Sequence, residues 1–268
     1  MSADATAIER AQPRELPQPL TLLFAGLGLI GLVAFGWGLS TDAATAWRAY
    51  HVNFLYFAGL SQGGLVIAAI FVIVGARWPG PIRRIAEGLA AWVPITFVLA
   101  CIQFLGKDHI YTNWIDGAPP AKAIYLNTTR LYVMDLAIFG VMALITIVFL
   151  RSSLRPTLQG VGERASAAQG MFASWTKGWR GDDAERAATA DRLRVIAPIV
   201  CLLYAFGYSF IAIDQVMSLS PMWFSNLFGA YFAWGGFLSA VCATALVTVL
   251  LRNAPGFEGL VTKDRLHD

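Results

Sequence analysis

Only 14% of the 268 residues are charged and 57% are hydrophobic, whereas a soluble domain carries about a quarter charged residues; the composition excludes a soluble globular protein. The three cysteines, Cys101, Cys201 and Cys242, lie in separate apolar stretches with no CxxC or CxxCH. They offer no ligand set for an iron–sulfur cluster, a covalent haem or a cysteine zinc site, and the net charge of +3 is a matter of loop distribution in a membrane protein, with no nucleic-acid partner implied.

Residues 1–19 are polar, contain Pro13, Pro17 and Pro19, and lack the basic head, short apolar core and small-residue cleavage site of a signal peptide. They read as a free tail. Six apolar segments follow, at about 20–39, 52–74, 85–105, 131–150, 196–213 and 224–251. Each is long enough at 1.5 Å per residue to cross, or nearly cross, a hydrocarbon core of roughly 30 Å. The first carries Gly28, Gly31, Gly36 and Gly38, which allow close helix contact. The third has Pro94 as an expected kink, with Trp92, Thr96, Leu99 and Gln103 on one face. In the fifth, Tyr204, Tyr208 and Gln215 form a stripe with Asp214 at its end. In the sixth, Gly229, Ala233, Gly236 and Ala240 form a small-residue ridge suited to packing. The expected fold is an all-α integral membrane protein, a six-helix bundle with a solvated loop at 151–194, one amphipathic turn near 171–179, and a tail at 252–268.

The basic residues are distributed unevenly between the two sets of loops. The N-terminal tail holds Arg10 and Arg14, the second connection Arg77, Arg83 and Arg84, the long loop eight more, and the C-terminal tail Arg252, Lys263 and Arg265. The alternate loops hold only Arg48, Lys107, Lys122 and Arg130, four of the 20 Lys and Arg. Excess positive charge marks the cytoplasmic side, so both termini are expected there. The segment 106–130 then covers the outer mouth, with Tyr111, Trp114 and Tyr125 suited to the interface and a Pro119–Pro120 turn.

At the head of the second span, Trp47 to Gly64 reads WRAYHVNFLYFAGLSQGG. Helical spacing puts His51, Leu55, Ala58 and Gln62 on one face, too polar for lipid, so this helix either lines a cavity or uses Gln62 as interhelical glue. On the predicted topology His51, Asp108, His109, Arg130, Asp135 and Asp214 gather toward the outer half. No histidine lies well inside a span, so bound haem and metal are not expected. Asp135 falls within the first turns of its helix and is expected to be paired with Arg130 or His51, or kept protonated by desolvation. A histidine, carboxyls and amides around an apolar pocket suit a quinol, whose hydroxyls release protons as electrons leave. They suit the outer half of a proton path equally well.

Four stretches carry a resemblance: HVNFLYFAGLSQGG, RWPGPIRRIAE, KAIYLNTTRLYVMD and DQVMSLSPMWFSNLFGAYFAWGGF. From about Ala49 onward the chain resembles the NrfD-like membrane subunits of bacterial alternative complex III, and its last stretch is most similar to the second of the two, the quinone-binding subunit 2 type. The resemblance implies a helical bundle without its own metal or haem in the bacterial inner membrane. It also implies an iron–sulfur subunit, c-type haem subunits and a sister NrfD-like subunit as partners, within the lipid, and menaquinol or another quinone as substrate. Members of this type are longer, so the chain is expected to represent their N-terminal two-thirds. Because the family's quinol site is usually assigned to the sister subunit, His51, Asp135 and Asp214 are the candidates for proton handling, with Gln62, Gln103, Tyr208 and Arg130 as candidates for a quinol pocket or polar path. The alternatives are the anchor of a polysulfide-reductase-type molybdoenzyme, a secondary transporter, for which inverted repeats are not evident, and a structural assembly subunit.

Overall fold

The computed structural model describes residues 17–76, 78–162, 174–254 and 261. Among them the secondary structure is entirely helical, and six helical stretches are long and apolar enough to cross a membrane. This is the architecture of a multi-pass membrane protein. We label the helices α1 (Gln18–Thr41), α2 (Ala43–Ile73), α3 (Gly80–Ala90), α4 (Val93–Gln103), α5 (Lys107–Ile110), α6 (Thr128–Gly162), α7 (Asp182–Ile211) and α8 (Phe228–Leu251).

Helix α2 is the axis of the bundle, packing against α1, α3, α4, α7 and α8. Its glycines make this possible. A Cβ on Gly63 would sit 2.6 Å from the Ala240 Cβ of α8, and one on Gly64 would sit 2.7 Å from the Leu89 Cβ of α3. Two backbones therefore approach α2 from different sides within one turn. The ridge on α8 serves packing as expected, since a Cβ on Gly236 would lie 3.4 Å from the Gly59 Cα.

By contrast, α1 has no buried residue. The close contact expected of its glycines is not made: a Cβ on Gly28, Gly31 or Gly36 would meet nothing within 4 Å among the described residues, and only Gly38 approaches Ala46. The helix is held instead at its C-terminal end, where Phe35 stands edge-on to Trp47 at 5.3 Å.

Several expected boundaries are corrected. The second span begins at Ala43, not near Val52. Asp42 caps it by accepting from the Thr45 amide at 3.1 Å, and buried Trp47 packs beside Gly106, so His51 lies inside the helix. The third span is two helices. Its α3 ends at Ala90 and α4 restarts at Val93 with Pro94 in its first turn, where the missing N–H costs nothing. Pro94 opens a helix; it does not kink one. The solvated loop at 151–194 is largely helical too, because α6 runs to Gly162 and α7 begins at Asp182. The turn expected near 171–179 and both expected tails lie partly or wholly outside the described residues.

Helices α2 and α6 begin, and α4 and α7 end, at one end of the bundle, called here the His51 end. At the opposite end α3 and the start of α7 meet the C-terminal half of α6 through Glu87 and Glu185. This is the Glu87 end.

Candidate functional site

At the His51 end α7 does not stop cleanly. It widens into a π-turn, Ala212–Val216, whose extra residue lets two consecutive side chains, Asp214 and Gln215, both be fully buried. In a regular helix neighbours point about 100° apart and one of them would face away.

From Gln215 a continuous hydrogen-bonded chain extends. The His51 Nε2 lies 2.9 Å from the main-chain carbonyl of Gln215. A carbonyl only accepts, so Nε2 carries the hydrogen and Nδ1 presents its lone pair. That lone pair faces the Gln103 amide nitrogen, which also donates to Oε1 of Gln215 at 2.9 Å. The Tyr111 hydroxyl donates to the same Oε1 at 2.7 Å. The Gln215 Nε2 then donates to Oδ2 of Asp135. All members of this chain are buried: His51 on α2, Gln103 at the end of α4, Tyr111 after α5, Asp135 on α6 and Gln215 in the π-turn.

Asp214 is held separately. Its Oδ1 accepts from Arg130 at 2.7 Å and from the Tyr125 hydroxyl at 2.7 Å. Arg130 stacks over the Tyr125 ring at 3.8 Å, and burial together with the Asp214 carboxylate holds the Tyr125 phenol above its ordinary range. Of the two alternatives expected for Asp135, pairing with Arg130 or His51 is not the one found: Arg130 forms its ion pair with Asp214, and Asp135 accepts from an amide. Asp135 and Asp214 are nevertheless neighbours, since Gln215, which donates to Asp135, directly follows Asp214 in the π-turn.

Five of the seven candidate residues, His51, Gln103, Arg130, Asp135 and Asp214, thus meet in one cluster. The other two do not join it. Gln62 lies about three turns deeper on α2, with its Nε2 lacking a partner among the described residues. Tyr208 stacks on Tyr204 at 5.0 Å and points its hydroxyl to the Leu55 carbonyl at 3.4 Å. The residues missing from the candidate set are Gln215, Tyr111 and Tyr125. Gln215 is the hub. It shares the helical stripe of Tyr204 and Tyr208, and all three are buried; what the period does not give is the burial of Asp214 beside it, which depends on the π-turn.

Several buried polar atoms around the cluster have no partner among the described residues: Gln103 Oε1, Asp135 Oδ1, Asp214 Oδ2 and the Tyr132 hydroxyl. Buried polar groups are normally satisfied, so a concentration of exceptions marks a place where protons, water or a polar ligand group are accommodated. Beside it a cavity of about 430 Å³, with His51, Leu55, Gly59, Tyr208, Phe232 and Gly236 in its walls, runs between α2, α7 and α8. Among the described residues no group of three or more His, Cys, Asp or Glu is placed to hold a metal ion. No model of a known protein family matches the chain, and no curated protein matches it.

Proposed function

We propose that the chain is a membrane subunit of a respiratory quinol-oxidising complex of the NrfD-like kind, in which the cluster at the His51 end handles the protons. The observation that carries this reading is the buried chain from His51 through Gln103 and Gln215 to Asp135, with an apolar cavity opening on its histidine end. A quinol ring and the start of an isoprenoid tail need an apolar cleft of a few hundred Å³ with few polar groups, and this cavity has that character. The stretches quoted above supply the partners in this reading: an iron–sulfur subunit, c-type haem subunits and a sister membrane subunit, with menaquinol or another quinol as reductant. In this reading the His51 end faces outward and both termini lie in the cytoplasm of a bacterial cell, and the sixteen-to-four distribution of Lys and Arg supports that orientation.

The hydrogen bonds dictate how a proton is received. His51 Nδ1 takes one up only if the Gln103 amide turns over, so that its unpartnered Oε1 accepts from the new N–H. Turning Gln103 removes a donor from Gln215 Oε1, and the Gln215 amide turns with it. Its oxygen then faces Asp135, which has to offer a hydrogen in return. A proton at one end of the chain is thereby felt at the other, without a water file between them.

The test is quinol oxidation by the purified complex in proteoliposomes. Asp135→Asn and His51→Gln should leave assembly intact and slow turnover or abolish the coupled proton movement, general acid–base losses being about 10²–10⁴-fold. Normal turnover and proton stoichiometry in both variants would remove the cluster from the reaction. Orientation is tested separately: a cysteine at Gly117 should react with a label added outside, and one at Gly181 should not.

A further inference from the structure

The buried charges at the His51 end do not balance. Asp135 and Asp214 are 1% and 0% exposed, and Arg130 forms the one guanidinium pair that the described residues make with either of them, through Asp214 Oδ1. His51 accepts from the Gln103 amide through the lone pair of Nδ1, so in this arrangement it carries one N–H, given to the Gln215 carbonyl, and contributes no cation. Two bare carboxylates against one cation would leave a net negative charge on fully buried side chains, which is among the costliest arrangements a membrane protein can adopt.

The orphaned oxygens indicate how this is avoided. Each carboxyl uses one oxygen fully: Asp135 Oδ2 accepts from Gln215, and Asp214 Oδ1 from Arg130 and Tyr125. Each has one oxygen without a donor, Asp135 Oδ1 and Asp214 Oδ2. The two carboxyls are neighbours in the cluster, because Gln215, which donates to Asp135, directly follows Asp214 in the π-turn, and two ionised carboxylates there would have no hydrogen to share. We propose that Asp135 and Asp214 form a carboxyl–carboxylate pair holding one proton between Asp135 Oδ1 and Asp214 Oδ2, with Arg130 setting the count at one. Paired acids forced together hold a single proton for this reason.

The charged and titratable groups around the pair are Arg130 and Tyr132 on α6, Tyr111 and Tyr125 from the connecting segment, and His51 on α2 through Gln215. Arg130 is the cation among them, so it decides how many protons the pair keeps. The proposal does not depend on quinol oxidation and is tested without substrate.

The measurement is the infrared carbonyl stretch of protonated carboxyl groups, recorded on the purified chain at pH 7, where exposed aspartates and glutamates are ionised. The wild type should show one protonated carboxyl from this pair. Asp135→Asn and Asp214→Asn should each remove it, because the remaining carboxylate then balances Arg130 and ionises. Arg130→Gln should double it. A band that survives Asp214→Asn would mean that Asp135 keeps its proton through burial alone, and sharing would be wrong. A wild type with no band, or one in which Asp135→Asn changes nothing, would overturn the pair altogether. The wild-type spectrum and the two Asn variants, close in shape to the native side chains, decide the matter even if Arg130→Gln fails to fold.

Discussion

At the Glu87 end of the bundle, two buried carboxylates meet four guanidinium groups; at the His51 end, two buried carboxyls meet one. Glu87 accepts from Arg83 at 3.0 Å, Arg84 at 2.6 Å and the Ser153 hydroxyl. Glu185 is bound through both oxygens by Arg155, at 2.8 and 3.2 Å, and again by Arg180 at 3.2 Å. Neither Glu leaves an oxygen unpartnered, while Asp135 and Asp214 leave one each. The saturated pairs hold α3, α6 and α7 together. The undersaturated pair depends on the dipoles of Gln215 and Tyr125, which can reorient. Excess cation makes a clamp, and a deficit of cation makes a site that can change state.

The comparison breaks most visibly if the clamp is opened. Arg155→Met should destabilise the purified chain more than the other variants, because it removes the two-bond partner of Glu185, although Arg180 remains on that carboxylate. Unfolding in detergent measures it, and quinol turnover per folded molecule should be unchanged. A loss of turnover without a loss of stability would show that the Glu87 end also takes part in the chemistry. Gln215→Leu comes next. It strands the Gln103 amide, the Tyr111 hydroxyl and Asp135, but keeps the main-chain bond to His51. An unsatisfied buried group costs about 1–3 kcal/mol, and here turnover should fall as well, because the link between His51 and Asp135 is cut. If stability falls and turnover holds, the amide is a structural spacer.

Asp135→Asn is expected to change stability less than either, by under about 1 kcal/mol, since no cation is left unpaired and the Gln215 contact can be remade by an amide oxygen. The contrast with Arg155→Met sharpens the distinction between the two ends. One variant should cost stability and keep function, and the other should do the reverse. Equal losses of stability would mean that Asp135 is as structural as Glu185.

The six spans were legible because apolar runs of about 20 residues have few other uses. The face through His51, Leu55, Ala58 and Gln62 was legible as well, since all four are buried as the 3.6-residue period requires. What eluded the sequence was of two kinds. Helix ends were misjudged wherever charged residues continue a helix: Arg48 extends α2 beyond its apolar core, and the Glu185 segment extends α7. Pairings between distant elements were invisible, because nothing in the composition of 151–194 distinguishes Arg155 and Glu185 from the exposed Arg194 and Asp191. For the same reason the sequence offers Asp135, only five residues away, as a partner for Arg130, which in the structure pairs with Asp214. Sequence distance pointed to Asp135, and the π-turn brought Asp214 to it.

The smallest expected effect lies outside both clusters and serves as their control. Asp42, between α1 and α2, caps α2 by accepting from the Thr45 hydroxyl at 2.6 Å and from its amide at 3.1 Å. The Thr45 hydroxyl first, and then its amide, favour the ionised form and hold the carboxyl below its ordinary value. The sign follows from linkage. A depressed folded-state pKa contributes stability that is present above the unfolded value, about 3.9, and is lost as the pH falls through the folded value. Asp42→Ala should therefore be slightly less stable than the wild type at pH 7. The gap should narrow as both are acidified below about pH 4, while Asp42→Asn, which can still cap, should sit between them. Because the cap only fixes where α2 begins, and His51 lies more than two turns further on, turnover at pH 7 should be the same in all three. A gap that stays constant down to low pH would show that the carboxylate charge plays no part in the cap. A change in turnover would show that the register of α2 at His51 depends on its first turn, so that the chemistry of the His51 end would begin outside the buried cluster.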